Sequence, residues 1–171
     1  IEDYADEWVT KMMFHYRWGP EEGVANASQI LPLWRFASDD AVAQFRNTFA
    51  QRQIDRLQGI VAGSLEVTGP LIEACYHRLL AVLLEHFRQH RFILGRRPSA
   101  GDFALYGQLS QLVQVEPTSM AVARAEAPRV LAWVDVVDDL SGLDVGDGDW
   151  LDRAAASVAL RPLLTEIGRS Y

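Results

Sequence analysis

The tetrapeptide Ser99-Ala100-Gly101-Asp102 stands between an LGRRP turn at residues 94–98 and the apolar run FALY at residues 103–106. The Ser99 hydroxyl can accept a hydrogen bond from the amide of Asp102, and the Asp102 carboxylate can accept one from the amide of Ser99. This reciprocal pair is a capping box, which satisfies amide donors that the first turn of a helix leaves unpaired. The tetrapeptide therefore predicts that a helix begins at Ser99, and the architecture of the chain follows from that helix.

The predicted helix, over residues 99–115, carries apolar side chains on nearly every face. They belong to Phe103, Leu105, Tyr106, Leu109, Leu112, Val113 and Val115. A helix that is apolar all round is typical of a protein core, so we expect it to be central and buried. Because water cannot reach the amides at a buried helix start, the capping box matters more here than on a surface helix.

Two motifs in this part of the chain resemble one known family. A Ser-x-x-Asp capping box behind a Leu-Gly-x-x-Pro-like turn is similar to the start of the sixth helix of the cytosolic glutathione transferase C-terminal domain. The segment APRVLAWV at residues 127–134 is similar to that family's Ala-Pro-x-aliphatic-x-x-Trp helix start. The resemblance is strongest over residues 92–141 and consistent over the rest. Gly101 departs from the family's usual Ala, and Pro98 stands where an aliphatic residue is common.

The resemblance implies an all-α fold, a glutathione transferase C-terminal-like helical bundle, with the family's thioredoxin-like N-terminal domain absent from this chain. No alternation of strand and helix patterns is present in the sequence. We expect residues 1–171 to form a single domain. Its parts are a first helix at 1–18, an apolar connector at 19–37, a helical core at 38–141, and an acidic loop with a C-terminal helix at 142–171.

Hydrophobic spacing and turn residues place the remaining helices. Residues 2–17 are predicted as a helix that ends at Gly19-Pro20. Ser38 is predicted to cap a helix that ends near residue 59, and Pro70 is predicted to start one that ends near residue 90. Further helices are predicted at 119–125, at 128–141 and in the tail from residue 154.

The composition is that of a soluble globular protein, with 49% hydrophobic and 23% charged residues. The formal net charge of −7 argues against nucleic acid as a partner, because phosphate binding requires a basic face. The one cysteine, Cys75, excludes an internal disulfide and suits a reducing compartment.

The longest apolar run, at residues 79–84, is too short to cross a bilayer, so we expect a cytoplasmic protein without membrane contact. Because the chain begins with Ile1 rather than Met, we expect that another part of the protein precedes it.

Aromatic and methionine side chains form a stripe along one side of the first predicted helix. This aromatic stripe comprises Tyr4, Trp8, Met12, His15 and Tyr16. In the glutathione transferases, this helix and the central buried helix wall the pocket for the hydrophobic co-substrate, so the resemblance implies that the stripe binds substrate. Thioether and aromatic side chains suit varied apolar ligands. The same spacing is also typical of a helix face in the core or in a dimer interface, and that alternative stays open.

Three further groups of residues are interpreted as structural. His86 and His90 are one helical turn apart, but no third ligand with zinc-site spacing accompanies them, so we expect solvent-facing side chains at a helix C-terminus. The acidic loop at 142–150 lacks EF-hand spacing, and we expect it to be solvated. Cys75 lies in an apolar helix stripe and is predicted to be a buried, inert thiol. We predict neither a metal nor a catalytic residue in this chain.

By resemblance, the full protein would transfer glutathione, its co-substrate, to a small hydrophobic electrophile through a stabilised thiolate, or use glutathione for a reductive or isomerising step. The thiolate-stabilising group and most glutathione contacts belong to the thioredoxin-like domain. This chain would then supply the co-substrate wall and part of a homodimer interface, and it would be inactive alone.

Two alternatives stay open. Domains of this fold also serve as non-catalytic interaction and assembly modules in translation factors and aminoacyl-tRNA synthetases. The chain could instead only bind ligands, with the apolar segment 30–36 as a plug over the pocket.

Overall fold

The computed structural model describes residues 1–63 and 65–170, apart from the side chain of Asn47. In these residues the regular secondary structure is helical, which confirms the predicted all-α fold class. A 3₁₀ turn at Asp147–Asp149 lies in the acidic loop. In chain order the helices are α1, which runs through Glu2–Tyr4, a π-helical turn at Ala5–Val9 and Thr10–Trp18; α2 (Glu21–Leu33); α3 (Asp39–Arg56), continued by a π-helical turn at Leu57–Val61; α4 (Leu65–Gln89); α5 (Ala100–Ser110), continued by a π-helical turn at Gln111–Val115; α6 (Pro117–Glu126); α7 (Pro128–Asp138); α8 (Arg153–Ala159); and α9 (Arg161–Ser170).

Helices α4 and α5 form the centre of the bundle. α4 packs against α1, α6, α7 and α9, and α5 packs against α1 and α7. The side chains of Leu79, Leu80 and Leu83 on α4, and of Leu105 and Leu109 on α5, are inaccessible to solvent. Burial of each leucine stabilises the fold by about 2 kcal/mol, so these two helices hold the surrounding ones in place.

The capping box of Ser99 and Asp102 is present at the start of α5. The buried Asp102 carboxylate accepts hydrogen bonds from the Ser99 amide at 2.8 Å, the Ser99 hydroxyl at 2.6 Å and the Ile93 amide at 2.9 Å. Burial raises the pKa of Asp102, and these hydrogen bonds oppose the rise. The bond from Ile93 has no signal in the sequence, and it ties the turn after α4 to the start of α5.

Gly95 allows the same turn to pack closely against the acidic loop. Its φ of +128° is a conformation that L side chains rarely adopt, and a Cβ atom there would lie 2.4 Å from the carbonyl oxygen of Asp149. The amide of Arg96 donates to that same carbonyl oxygen at 2.8 Å. Backbone contacts therefore fix the end of the loop at residues 142–150 against the turn that precedes α5.

The apolar connector expected at residues 19–37 is largely helical, because Glu21–Leu33 form α2. Its apolar residues recur at helical spacing, but Gly23 and Pro32 have low helix propensity and obscure the pattern in the sequence. Gly23 is needed where α2 crosses the end of α1: a Cβ atom there would lie 2.1 Å from the carbonyl oxygen of Tyr16. Tertiary packing therefore overrides local propensity in this segment.

Helix α4 already begins at Leu65, earlier in the chain than the start predicted at Pro70. Pro70 consequently lies inside the helix rather than at its first position. Gly69 lies where α1 approaches, and a Cβ atom at this position would be 3.3 Å from His15 Cε1. Gly69 thus serves close helix packing, whereas the sequence suggests a turn.

One side of α5 is open, so the expectation of a helix buried all round holds only in part. Phe103 is 50% exposed and Gly107 is exposed, whereas Leu105 and Leu109 on the other side are inaccessible. The open side presents Phe103 as a large apolar side chain at the start of the helix.

One helix of the described chain, α4, is long and apolar enough to cross a membrane by length and composition alone, contrary to the expectation from uninterrupted apolar runs. A single helix of this kind is weak evidence, since core helices of soluble proteins pass the same test. Ile72, Tyr76 and Leu79 on this helix belong to the hydrophobic core. Burial in the bundle thus accounts for part of the apolar character of α4, since 39% of its most apolar window is buried.

Candidate functional site

The aromatic stripe of α1 faces the interior of the bundle. Tyr4 and Met12 are at most 1% exposed, and His15 and Tyr16 are each 5% exposed. Trp8 is only partly buried and packs at the margin of the core. The structure thus brings the five residues to one side of α1, with Trp8 the most accessible of them. Substrate binding by the stripe stays a prediction.

Trp8 combines an aromatic surface with an unsatisfied polar atom. Its indole N–H is buried and has no hydrogen-bond partner in the described chain. The Lys11 ammonium lies 4.2 Å from the centroid of the Trp8 ring, within the range of a cation–π interaction. Because Trp8 is the only stripe residue that is not buried, its ring is the part of the stripe that a ligand can reach without rearrangement of the bundle.

A polar cluster beside Tyr4 has no signal in the sequence. Arg78 on α4 donates from Nε to both carboxylate oxygens of Glu166 on α9 at 2.9 Å, and from Nη2 to the sulfur of Cys75 at 3.0 Å. The Ser170 hydroxyl donates to Glu166 at 2.8 Å. Burial raises the pKa of Tyr4, and the negative charge of Glu166 raises it further. The cluster anchors α9 to α4 through the Arg78–Glu166 ion pair. Because Cys75 is 1% exposed, its thiol is not an accessible nucleophile.

Side chains of α4 hold the other end of the stripe. His15 Nε2 lies 3.0 Å from Glu73 Oε1. Tyr16 packs edge-on against Tyr76, with 5.1 Å between the ring centroids. Burial raises the pKa of both tyrosines above the ordinary value. Both phenols therefore stay protonated at neutral pH.

Helix α1 ends in a buried ion pair. Arg17 donates from Nε to Glu116 Oε1 and from Nη2 to Gln111 Oε1, the latter at 2.8 Å. Glu116 is inaccessible to solvent, and its Oε2 has no partner in the described chain. Burial raises the pKa of Glu116, and the charge of Arg17 opposes the rise. Loss of one partner of such a pair costs about 3–5 kcal/mol, so the pair fixes α1 against the start of α6.

His86 is 7% exposed, which corrects the expectation of a solvent-facing side chain. Its Nε2 lies 3.2 Å from the carbonyl oxygen of Phe92, and its ring centroid lies 5.0 Å from that of His90. Burial lowers the pKa of His86. An apolar cavity of about 430 Å³ opens beside the two histidines, and its lining includes Val82, His86, His90, Val158 and Pro162. Across residues 1–63 and 65–170, no group of three or more His, Cys, Asp or Glu side chains could hold a metal ion.

A protein-family model matches residues 35–135, which is more than half of the chain. The family is described as Glutathione S-transferase, C-terminal domain. No curated protein and no solved structure matches the chain. The matched range contains both the capping box and the APRVLAWV helix start. Together with the all-helical fold, the match shows that this chain belongs to the glutathione S-transferase C-terminal domain family.

Proposed function

We propose that this chain is the co-substrate-binding half of a cytoplasmic, glutathione-dependent transferase. The family match over residues 35–135 carries the proposal, because membership implies that the whole protein binds glutathione. The single, buried Cys75 is consistent with a reducing compartment. Glutathione acts here as a substrate, and its reactive thiolate would be held by a thioredoxin-like half.

Burial supports a division of roles within the aromatic stripe. Trp8, the one partly accessible member, would contact the hydrophobic electrophile through its ring. The buried members, Tyr4, Met12, His15 and Tyr16, would fix the position of α1 behind it. A rigid α1 favours catalysis because it holds the electrophile close to the attacking thiolate. The reactants then lose less translational and rotational entropy on reaching the transition state.

The open side of α5 is the proposed contact with the thioredoxin-like half. Phe103 is 50% exposed there, and the neighbouring Gly101 lies against Ile1 at the start of α1. A covering domain would bury the Phe103 ring and close the space next to α1. Water would then be excluded from the electrophile, which favours attack by a thiolate.

A homodimer is proposed through the α3–α4 junction. Ile60, Val67 and Leu71 in this part of the chain are 82%, 76% and 53% exposed. Large apolar side chains left exposed in one part of a chain are candidates for a protein interaction surface.

The proposal is tested by calorimetric titration of glutathione and S-hexylglutathione into the whole protein and, in parallel, into this chain. We expect the whole protein to bind both compounds and this chain to bind neither with measurable affinity. Trp8→Ala in the whole protein should weaken S-hexylglutathione at least about tenfold, which is about 1.4 kcal/mol, and leave glutathione binding unchanged.

Trp34→Ala is the matched control, because Trp34 is 66% exposed at the end of α2 and does not belong to the stripe. Equal loss in the two variants would refute the role of Trp8. Absence of glutathione binding by the whole protein would refute the transferase proposal and favour an assembly module.

A further inference from the structure

A basic cleft of about 340 Å³ lies between the C-terminal end of α4 and the first turns of α7. Its lining includes Phe87, Arg88, Arg91, Arg129, Trp133 and Val136. No acidic side chain lines it in the part of the chain that the structure describes. The cleft shares no residue with the aromatic stripe, so it is independent of the proposed transferase site.

The positive charge of the cleft is only partly compensated. Arg88 donates to Glu85 at 2.7 Å, but no carboxylate lies within 4 Å of the Arg91 or Arg129 guanidinium in the described chain. Arg129 makes only a long hydrogen bond of 3.5 Å, to the carbonyl oxygen of Phe87. Three arginines therefore line one cleft in a protein whose net charge is −7. Their positive charge attracts an anion to the cleft.

Helix electrostatics explain part of this arrangement. Arg88 and Arg91 lie at the C-terminal end of α4, where cations interact favourably with the helix dipole. Arg129 is the second residue of α7, and its guanidinium donates to the carbonyl oxygen of Phe87 in the last turn of α4. All three arginines therefore place positive charge at the C-terminal end of α4, where the cleft opens.

Trp133 and Phe87 form the aromatic part of the cleft lining. Trp133 is 4% exposed and stacks on Phe87, with 4.7 Å between ring centroids and 16° between the planes. The stacked rings give the cleft an apolar wall beside the arginines.

We propose that this cleft binds a small organic anion: a carboxylate, sulfonate or phosphate group carried on an apolar body. The anionic group pairs with Arg129 and its neighbouring arginines. The apolar body packs against Ala132 and Val136. The cleft volume is at the lower end of the range for small-molecule sites, so a ligand of one or two rings fits it.

Calorimetry of 2-naphthoate against this chain tests the proposal, with 2-naphthalenemethanol as the neutral analogue of the same shape. We expect 2-naphthoate to bind at least about tenfold more tightly than the alcohol, since one charge-assisted contact is worth about 1.4 kcal/mol or more. Its affinity should fall as salt is added. Equal affinities, or no binding of 2-naphthoate at millimolar concentration, would overturn the proposal.

Two variants test whether the charge in the cleft binds the ligand. Arg129→Gln should weaken 2-naphthoate about tenfold and leave the affinity for the alcohol unchanged. Arg52→Gln, at an exposed arginine outside the cleft, should leave the binding of both compounds unchanged. If Arg129→Gln and Arg52→Gln bind 2-naphthoate equally well, the cleft is not the site.

Discussion

Replacing Asp102 by alanine should destabilise the fold more than replacing any aspartate on the surface. The variant removes the acceptor from the Ser99 and Ile93 amides and from the Ser99 hydroxyl, at distances of 2.6–2.9 Å. The hydroxyl can rotate toward another acceptor, but the two amides are fixed. Each buried amide left unpaired costs about 1–3 kcal/mol, so the amides alone account for about 2–6 kcal/mol.

Removing the carboxylate also relieves an unfavourable term. The raised pKa of Asp102 reflects the cost of burying its charge, and the alanine variant no longer bears that cost. We therefore expect a net loss near the lower end of the range, about 3 kcal/mol. A domain of this size is stable by about 5–15 kcal/mol, so the variant should still fold.

Urea unfolding at neutral pH, followed by far-UV circular dichroism, measures this loss. The matched control is Asp152→Ala. The Asp152 carboxylate is exposed and caps α8 by accepting one hydrogen bond from the Ala155 amide at 2.8 Å. The control should lose about 1 kcal/mol, as a simple N-cap does. If Asp102→Ala loses no more than Asp152→Ala, the capping box does not hold this fold together.

Two further predictions concern pH and close packing. Burial lowers the pKa of His86 in the folded state, so below a pH of about 6.5 the unfolded state takes up a proton that the folded state resists, and stability should fall by at most about 1.4 kcal/mol per pH unit. Urea unfolding at several pH values measures this dependence of the unfolding free energy on pH. His86→Gln should reduce it, whereas His77→Gln, which leaves His86 intact, should retain it. An unchanged pH dependence in His86→Gln would exclude His86 as its source. Gly23→Ala should destabilise the protein, because its Cβ atom would lie 2.1 Å from the Tyr16 carbonyl oxygen, whereas Gly59→Ala meets open space and should be neutral or stabilising by up to about 1 kcal/mol. Equal melting temperatures for the two alanine variants would show that α1 and α2 do not need Gly23.

The parts of this fold that the sequence predicts are those encoded by neighbouring residues. Ser99 and Asp102 are three positions apart, so their capping box and the helix behind it can be recognised locally. Helix α2 was obscured by Gly23, whose purpose becomes apparent only where α1 crosses it. Local propensity cannot register a packing requirement of that kind.

The candidate site shows the same limit. Helical spacing correctly places the aromatic stripe on one side of α1, but it does not reveal that Trp8 is accessible while Met12 is buried. The Arg17–Glu116 pair joins residues 99 positions apart, and no spacing rule connects them. Arg129 likewise acquires meaning only when the fold brings it beside Arg88.

The turn between α4 and α5 connects the stability of the fold with the basic cleft. Asp102 fixes this turn through the amide of Ile93, and Arg91, which lines the cleft, is two residues before that amide. Gly95 fixes the other side of the turn against the acidic loop. A site that binds through charge needs its guanidinium groups held in place, because each freely moving side chain loses entropy on binding. It follows that Asp102→Ala should weaken 2-naphthoate binding even under conditions in which the variant is fully folded, although Asp102 does not line the cleft.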